Sequence, residues 1–259
     1  MEFRAAGFLR LLVLAGLLNC LSQAIHEAGH WAVYQAFGRG PVWGFTGLVQ
    51  IWGKPPLHPG EWVATTAPDG EQGWLHLTST PGSKAEAVMA LAAGPVVSLL
   101  SVVGGLWRAR LGKRAETRQI GLLLALIGSF VASMYYIRSP LRSGGDESLM
   151  AAHLGLPRYA VELPLALAFI ACFILGLRAF GNWRTGLKWT SAILLGSVPT
   201  GLLLMKADGL VRSQVNLGNP LFQPVFGFSL PVVLVNGIVL LGLWIWVLRA
   251  RNHSRGHSL

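Results

Sequence analysis

The stretch at residues 8–37, FLRLLVLAGLLNCLSQAIHEAGHWAVYQAF, has the composition of a membrane helix but carries ionisable side chains near its end. His26 and His30 are four residues apart, so on an α-helix both imidazoles project from the same face and can bind one metal ion. Glu27 points about 100° away, which suits a carboxylate that acts on water and does not itself ligate the metal. The small Ala28 and Gly29 are expected to leave room for a substrate. Because ionisable groups inside an apolar helix are costly, this motif predicts a functional zinc site.

The composition of the whole chain predicts a membrane protein surrounded by the lipid bilayer. Hydrophobic residues make up 53% of the 259 residues and charged residues only 12%, which excludes an ordinary soluble domain. The formal net charge is +10, but the basic residues cluster just outside apolar segments and no recognition module accompanies them, so no nucleic-acid partner is predicted. The two cysteines, Cys20 and Cys172, lie inside apolar runs, which argues against a disulfide framework.

Uninterrupted apolar length predicts an all-α polytopic membrane protein with about six transmembrane helices. The expected spans are residues 8–37, 85–107, 120–137, 161–180, 187–205 and 230–248. When the loops are assigned to alternate sides, the two termini and residues 107–118 and 178–188 share one side, which carries most of the Lys and Arg residues. The positive-inside rule therefore predicts that both termini are cytoplasmic and that the histidine motif faces the other side.

A segment of different character separates the first two spans, at about residues 40–80. It is rich in Gly, Pro, Thr and Trp, and three short runs in it are β-prone: residues 42–52, 61–66 and 74–79. The turn residues Pro68, Asp69 and Gly70 separate the last two runs. We therefore expect a small β-rich insertion, placed at the bilayer interface by its tryptophans.

A hydrolytic zinc site takes three protein ligands, so a third ligand must come from elsewhere in the chain. Asp146 is the preferred candidate because it follows the flexible pair Gly144–Gly145 and precedes a short apolar helix. Glu147 and His153 remain alternatives in the same region. His58, in a Pro-rich turn, and His76, in the expected hairpin, are better explained as surface residues.

Three features together resemble the site-2 protease family of intramembrane zinc metalloproteases. They are HEAGH on an early membrane helix, AAGPVVSLL at residues 92–100, and the Gly145–Asp146 element. The resemblance covers roughly residues 8–157 and implies that His26, His30 and Asp146 bind Zn²⁺ while Glu27 activates water. It divides the chain into a metalloprotease-like core, residues 1–158, and a part with three further helices and a basic tail, residues 159–259.

Two positions depart from the pattern of that family. Ser98 stands where the family usually has Asn after its Gly–Pro, and the aspartate follows Gly–Gly instead of lying in Leu–Asp–Gly. A Ser hydroxyl can make a weaker version of the polar contact that an Asn side chain makes.

The predicted function is hydrolysis of peptide bonds in or near transmembrane segments of membrane-protein substrates. The alternative is a non-proteolytic zinc-binding membrane protein, either a pseudoprotease that binds clients or a transporter. Transport predicts polar residues in the later spans, which contain only Glu162, Lys188 and Asn236 as strongly polar side chains. An intact His–Glu–His set argues against a pseudoprotease.

Overall fold

The computed structural model describes residues 5–47, 51–52, 62–66, 72–76, 81–139, 144–180 and 182–255. Within these ranges the chain forms seven helices: α1 (Ala5–Ala36), α2 (Lys84–Leu111), α3 (Ala115–Arg138), α4 (Asp146–Leu154), α5 (Tyr159–Arg178), α6 (Trp183–Asn216) and α7 (Leu230–Arg255). All except the short α4 are long and apolar enough to cross a membrane. The prediction of a mainly helical chain with six helices that could cross a membrane is confirmed.

The prediction for the fifth span was wrong at its carboxyl end. Residues 187–205 were expected, but α6 continues to Asn216 and includes Lys206, Asp208 and Arg212. Asp208 and Arg212 are one helical turn apart and form an ion pair, with 3.0 Å between carboxylate and guanidinium. Because Arg212 neutralises the charge of the buried Asp208 one turn away, α6 can continue past the point where a count of apolar residues ends.

The centre of the bundle is formed by α1, α3 and α6. Their fully buried side chains form one apolar cluster: Leu14, Leu18, Leu126, Ile127, Trp189 and Ile193. α5 packs on α2 and α3, and α7 packs on α1. Large apolar side chains also cover the outside, as expected for helices that face lipid.

Capping and an ion pair fix the start of α2 beside the end of α1. The Ser83 hydroxyl accepts a hydrogen bond from the Glu86 amide (3.2 Å), and the Glu86 carboxylate accepts one from the Gly82 amide (2.8 Å). These bonds satisfy amides that lack a partner within the helix. Glu86 also pairs with Arg39, which lies just beyond α1. The amino-terminal half of α2 is thereby held against the half of α1 that carries the histidines.

Between α1 and α2 the described residues include three short strands, β1 (Ile51–Trp52), β2 (Trp62–Thr66) and β3 (Gln72–His76). They pair antiparallel in the order β1-β3-β2, with Ile51 opposite Leu75 and Val63 opposite Leu75 on the other side. Of the strand predicted over residues 42–52, residues 51–52 form β1, residues 44–47 are not in a strand, and residues 48–50 lie outside the described residues. These short strands do not establish a β-rich insertion over all of residues 40–80, and much of that segment lies outside the described residues.

Candidate metal centre

Three predicted ligands, from two distant parts of the chain, meet in one cluster. His26 and His30 project from α1, and Asp146 is the first residue of α4. The His26 Nε2 atom lies 3.2 Å from His30 Nε2 and 3.3 Å from the Asp146 carboxylate oxygen Oδ2. The His30 Nε2 atom lies 3.1 Å from the same oxygen. The three atoms therefore form a nearly equilateral triangle.

The size of that triangle fits the donor set of a tetrahedral zinc ion. Bonds from zinc to imidazole nitrogen or carboxylate oxygen are about 2.0–2.1 Å, so neighbouring ligand atoms of a tetrahedral site are about 3.3–3.4 Å apart. The observed separations of 3.1–3.3 Å are close to this spacing. Two imidazoles and one carboxylate also make up the ligand set of a catalytic zinc site, which leaves a fourth position open.

Both histidines are oriented by their other ring nitrogen. His30 Nδ1 lies 2.7 Å from the Ala90 carbonyl oxygen, and only an N–H can make that contact, so in the neutral imidazole Nε2 carries the free lone pair. His26 Nδ1 lies 3.0 Å from the Ser98 hydroxyl. Such outer contacts fix the tautomer and the ring plane of metal ligands. The sequence did not assign Ser98 to His26, because a contact between residues 72 positions apart has no local signal.

Close packing of α1 on α2 places these contacts. A Cβ atom on Gly29 would lie 2.6 Å from the Ala93 carbonyl oxygen, and a Cβ atom on Gly94 would overlap the His30 ring. Glycine at both positions therefore lets the two helices touch at the level of the histidines. We expected Gly29 to leave room for a substrate, but it packs directly against the backbone of α2.

The residues immediately before and after Asp146 in the sequence are both fixed by the surrounding structure. Gly144 and Gly145 have φ angles of 75° and 106°, a conformation that residues with a side chain rarely adopt. Arg158 donates to the Gly144 carbonyl oxygen at 3.3 Å and pairs with Glu162 of α5. Glu147, on the other side, accepts a hydrogen bond from the Tyr135 hydroxyl at 3.1 Å.

The electrostatics of the cluster favour an ionised Asp146. Burial alone would raise the pKa of this carboxyl group, but the charge of His30 and hydrogen bonds from both histidines lower it below the usual range. A carboxylate is the form that binds a metal ion. Asp146 is therefore already in its metal-binding form, whereas His30 must release its Nε2 proton before that nitrogen can bind a metal ion.

The alternative third ligands lie elsewhere. Glu147 is 1% exposed and bonds to Tyr135, while the histidines contact its neighbour Asp146. His153 is at the far end of α4, where burial and the charge of Lys84 lower its pKa. His76 ends β3, and His58 lies outside the described residues. Among the described residues, His26, His30 and Asp146 are the group with metal-ligand geometry.

Glu27 is 3% exposed and interacts electrostatically with all three candidate ligands and with Asp208 of α6. Asp208 is also 3% exposed and accepts a hydrogen bond from the Phe45 amide at 2.7 Å. It thereby fixes the chain that follows α1 against α6. Sequence reasoning missed Asp208, although its spacing of four from Arg212 was a local signal of a paired charge on a helix.

The cluster lies within the span of α1, not at its end. His30 and His26 are six and ten residues before the end of α1 at Ala36, which corresponds to about 9 and 15 Å along a helix. A hydrocarbon core is about 30 Å thick. A small cavity of about 80 Å³ adjoins His26 and is lined in part by the polar side chains of Ser22, Gln23 and Ser98. A cavity of this size and polarity has room for water.

Comparison with protein-family models, with curated proteins and with solved structures finds no match to this chain.

Proposed function

We propose that the protein is an intramembrane zinc metalloprotease of the site-2 protease type. The observation that carries the proposal is the triangle of His26 Nε2, His30 Nε2 and Asp146 Oδ2, with sides of 3.1–3.3 Å, in which both histidines belong to a helix long and apolar enough to cross a membrane. Glu27 follows the first of these ligands directly, as in the metalloprotease motif in which the glutamate is the general base.

The residues present would hold zinc through two imidazoles and one carboxylate. When bound, zinc supplies Lewis acidity, which polarises a carbonyl group and makes water more acidic. Glu27 accepts the proton of the attacking water and donates it to the amine of the leaving peptide. Ser98 and the Ala90 carbonyl hold the rings of His26 and His30, so the donor atoms do not have to reorganise during the reaction.

The substrates in this proposal are transmembrane segments of other membrane proteins, and they must unwind before their carbonyl groups are accessible. The segment between α1 and α2 offers a means, since β1 is an edge strand and an extended peptide can add to such an edge. We propose this role for the strand region as part of the same function.

The proposal is tested by cleavage of a single-span reporter in detergent, with wild type and with Glu27→Gln. An amide cannot accept the water proton, so the variant should retain its zinc but lose cleavage by at least about 100-fold. A chelator should stop the wild-type reaction, and added Zn²⁺ should restore it. Undiminished cleavage by Glu27→Gln would refute the role of Glu27.

The same experiment separates the two function classes. A wild-type protein that holds zinc but cleaves none of a panel of single-span reporters would favour the non-proteolytic alternative, a client binder or transporter. The zinc content of Glu27→Gln is the matched control. If this variant retains zinc, its loss of cleavage is due to the missing general base and not to a missing metal ion.

A further inference from the structure

The cationic side chains at the two ends of the helix bundle differ in whether they are paired with carboxylates. At the end that carries the metal cluster, three arginines each pair with a carboxylate that is at most 8% exposed. These pairs are Arg39–Glu86, Arg158–Glu162 and Arg212–Asp208. These three arginines are therefore paired with buried carboxylates of the chain itself.

At the opposite end of the bundle, the last turn of α2, the connection that follows it and the first turn of α3 carry five exposed cations. They are Arg108, Arg110, Lys113, Arg114 and Arg118. None of them forms an ion pair with a side chain that the structure describes. With Glu116 as the one acidic residue between positions 108 and 118, the five cations give this end of the molecule a net positive charge, which attracts an anion.

A cavity lies among these cations. It has a volume of about 510 Å³, and Arg108, Lys113 and Arg114 contribute to its lining. Trp107 and Leu111, on the last turn of α2, also line it and are 65% and 66% exposed. The lining of this cavity therefore combines cationic side chains with large apolar side chains at the end of a membrane-spanning helix.

We propose that this cavity binds the phosphate headgroup of an anionic lipid. Basic pockets between transmembrane helices suit such headgroups, and a tryptophan at the end of a span suits the interface between headgroups and acyl chains. α3 begins at this cavity without a side-chain cap, so the amides of its first turn are available to an anion. The apolar wall formed by Trp107 and Leu111 selects a lipid over a free phosphate ion. This site is independent of the proposed protease function.

The test is a titration of purified protein in detergent with phosphatidylglycerol or phosphatidylcholine of the same acyl chains, with bound lipids counted by native mass spectrometry. Wild type should bind at least one phosphatidylglycerol molecule at a lipid concentration about tenfold lower than the concentration at which it binds phosphatidylcholine. The triple variant Arg108→Gln, Lys113→Gln, Arg114→Gln should lose that preference. The substituted side chains are exposed, so the helical circular dichroism should be unchanged.

A matched control removes three cations from the same end of the bundle but outside the cavity. Arg178→Gln, Arg184→Gln, Lys188→Gln should keep the preference for phosphatidylglycerol, because these exposed residues lie at the junction of α5 and α6. Equal losses in the two triple variants would mean a general attraction to a basic surface and would overturn the site.

Two further arms distinguish the lipid from a small anion. Trp107→Ala should weaken retention of phosphatidylglycerol while all five cations remain, because the larger of the two apolar side chains that line the cavity is lost. Inorganic phosphate in large excess over the lipid should not displace the lipid. Displacement by phosphate, or unaltered binding by Trp107→Ala, would contradict recognition of a lipid.

Discussion

Asp146 and Glu147 are neighbours in the chain, yet their side chains have different surroundings. The carboxylate of Asp146 lies within 3.3 Å of both histidine Nε2 atoms, while that of Glu147 is buried and bonds to Tyr135. The two residues begin a helix, where consecutive side chains point about 100° apart. One carboxylate is therefore available to a metal ion, and the other holds α4 against α3.

The matched pair Asp146→Asn and Glu147→Gln tests this division. An amide is a poor zinc ligand, so Asp146→Asn should weaken zinc binding by about 100-fold or more. Glu147→Gln retains an oxygen that can accept the hydrogen bond of Tyr135, so its zinc affinity should stay within a few-fold of wild type. Competition with a chromogenic chelator measures both affinities. The reverse order of affinities would transfer the ligand role to Glu147.

At the scale of elements, the crossing of α1 and α2 determines whether a site can form. The sequence predicted both helices and the shared face of His26 and His30, because these features depend on spacing alone. It could not predict that Gly29 and Gly94 meet, or that Ser98 contacts His26, because those contacts depend on how the helices pack. The extension of α6 to Asn216 was missed for a different reason: the spacing of four between Asp208 and Arg212 is visible in the sequence, but a count of apolar residues does not register paired charges.

The substitution Gly94→Ala tests the crossing. A Cβ atom there would lie 2.6 Å from His30 Cε1, so the ring must move from its position or the helices must separate. Overpacking of this kind costs about 1–3 kcal/mol. We expect a lower free energy of unfolding and at least about tenfold weaker zinc binding.

The control for that substitution lies on the same helix. A Cβ atom on Gly104 would meet nothing within 4 Å, so Gly104→Ala should keep wild-type zinc affinity and gain up to about 1 kcal/mol from the helix propensity of Ala. Unfolding in a titration with denaturing detergent gives both stabilities. Equal behaviour of the two variants would mean that Gly94 does not set the position of His30.

For the whole molecule, orientation in the membrane is a prediction from charge. The candidate site lies toward the ends of α1 and α2 that face away from the basic turn between α2 and α3. By the positive-inside rule that turn is cytoplasmic, and the site faces the other side. The number of spans could be predicted from apolar length. Which side of the membrane the site faces is not indicated by the packing of the helices.

Single cysteines at two exposed loop positions test the orientation. Leu221 lies between α6 and α7 and is 66% exposed, and Lys113 lies in the basic turn. With Cys20 and Cys172 replaced by Ala, a membrane-impermeant thiol reagent applied to intact cells should label a cysteine at position 221 and spare one at position 113. The opposite pattern would invert the topology and leave the geometry of the site unchanged.

The central claim is that His26, His30 and Asp146 bind one zinc ion within the membrane, and the zinc content of the purified protein tests it most directly. Elemental mass spectrometry of protein expressed with sufficient zinc should give about one zinc per chain for wild type. The double variant His26→Ala, His30→Ala should contain almost none, because two of three ligands are lost. Equal zinc in the two proteins, or no zinc in wild type, would contradict the account.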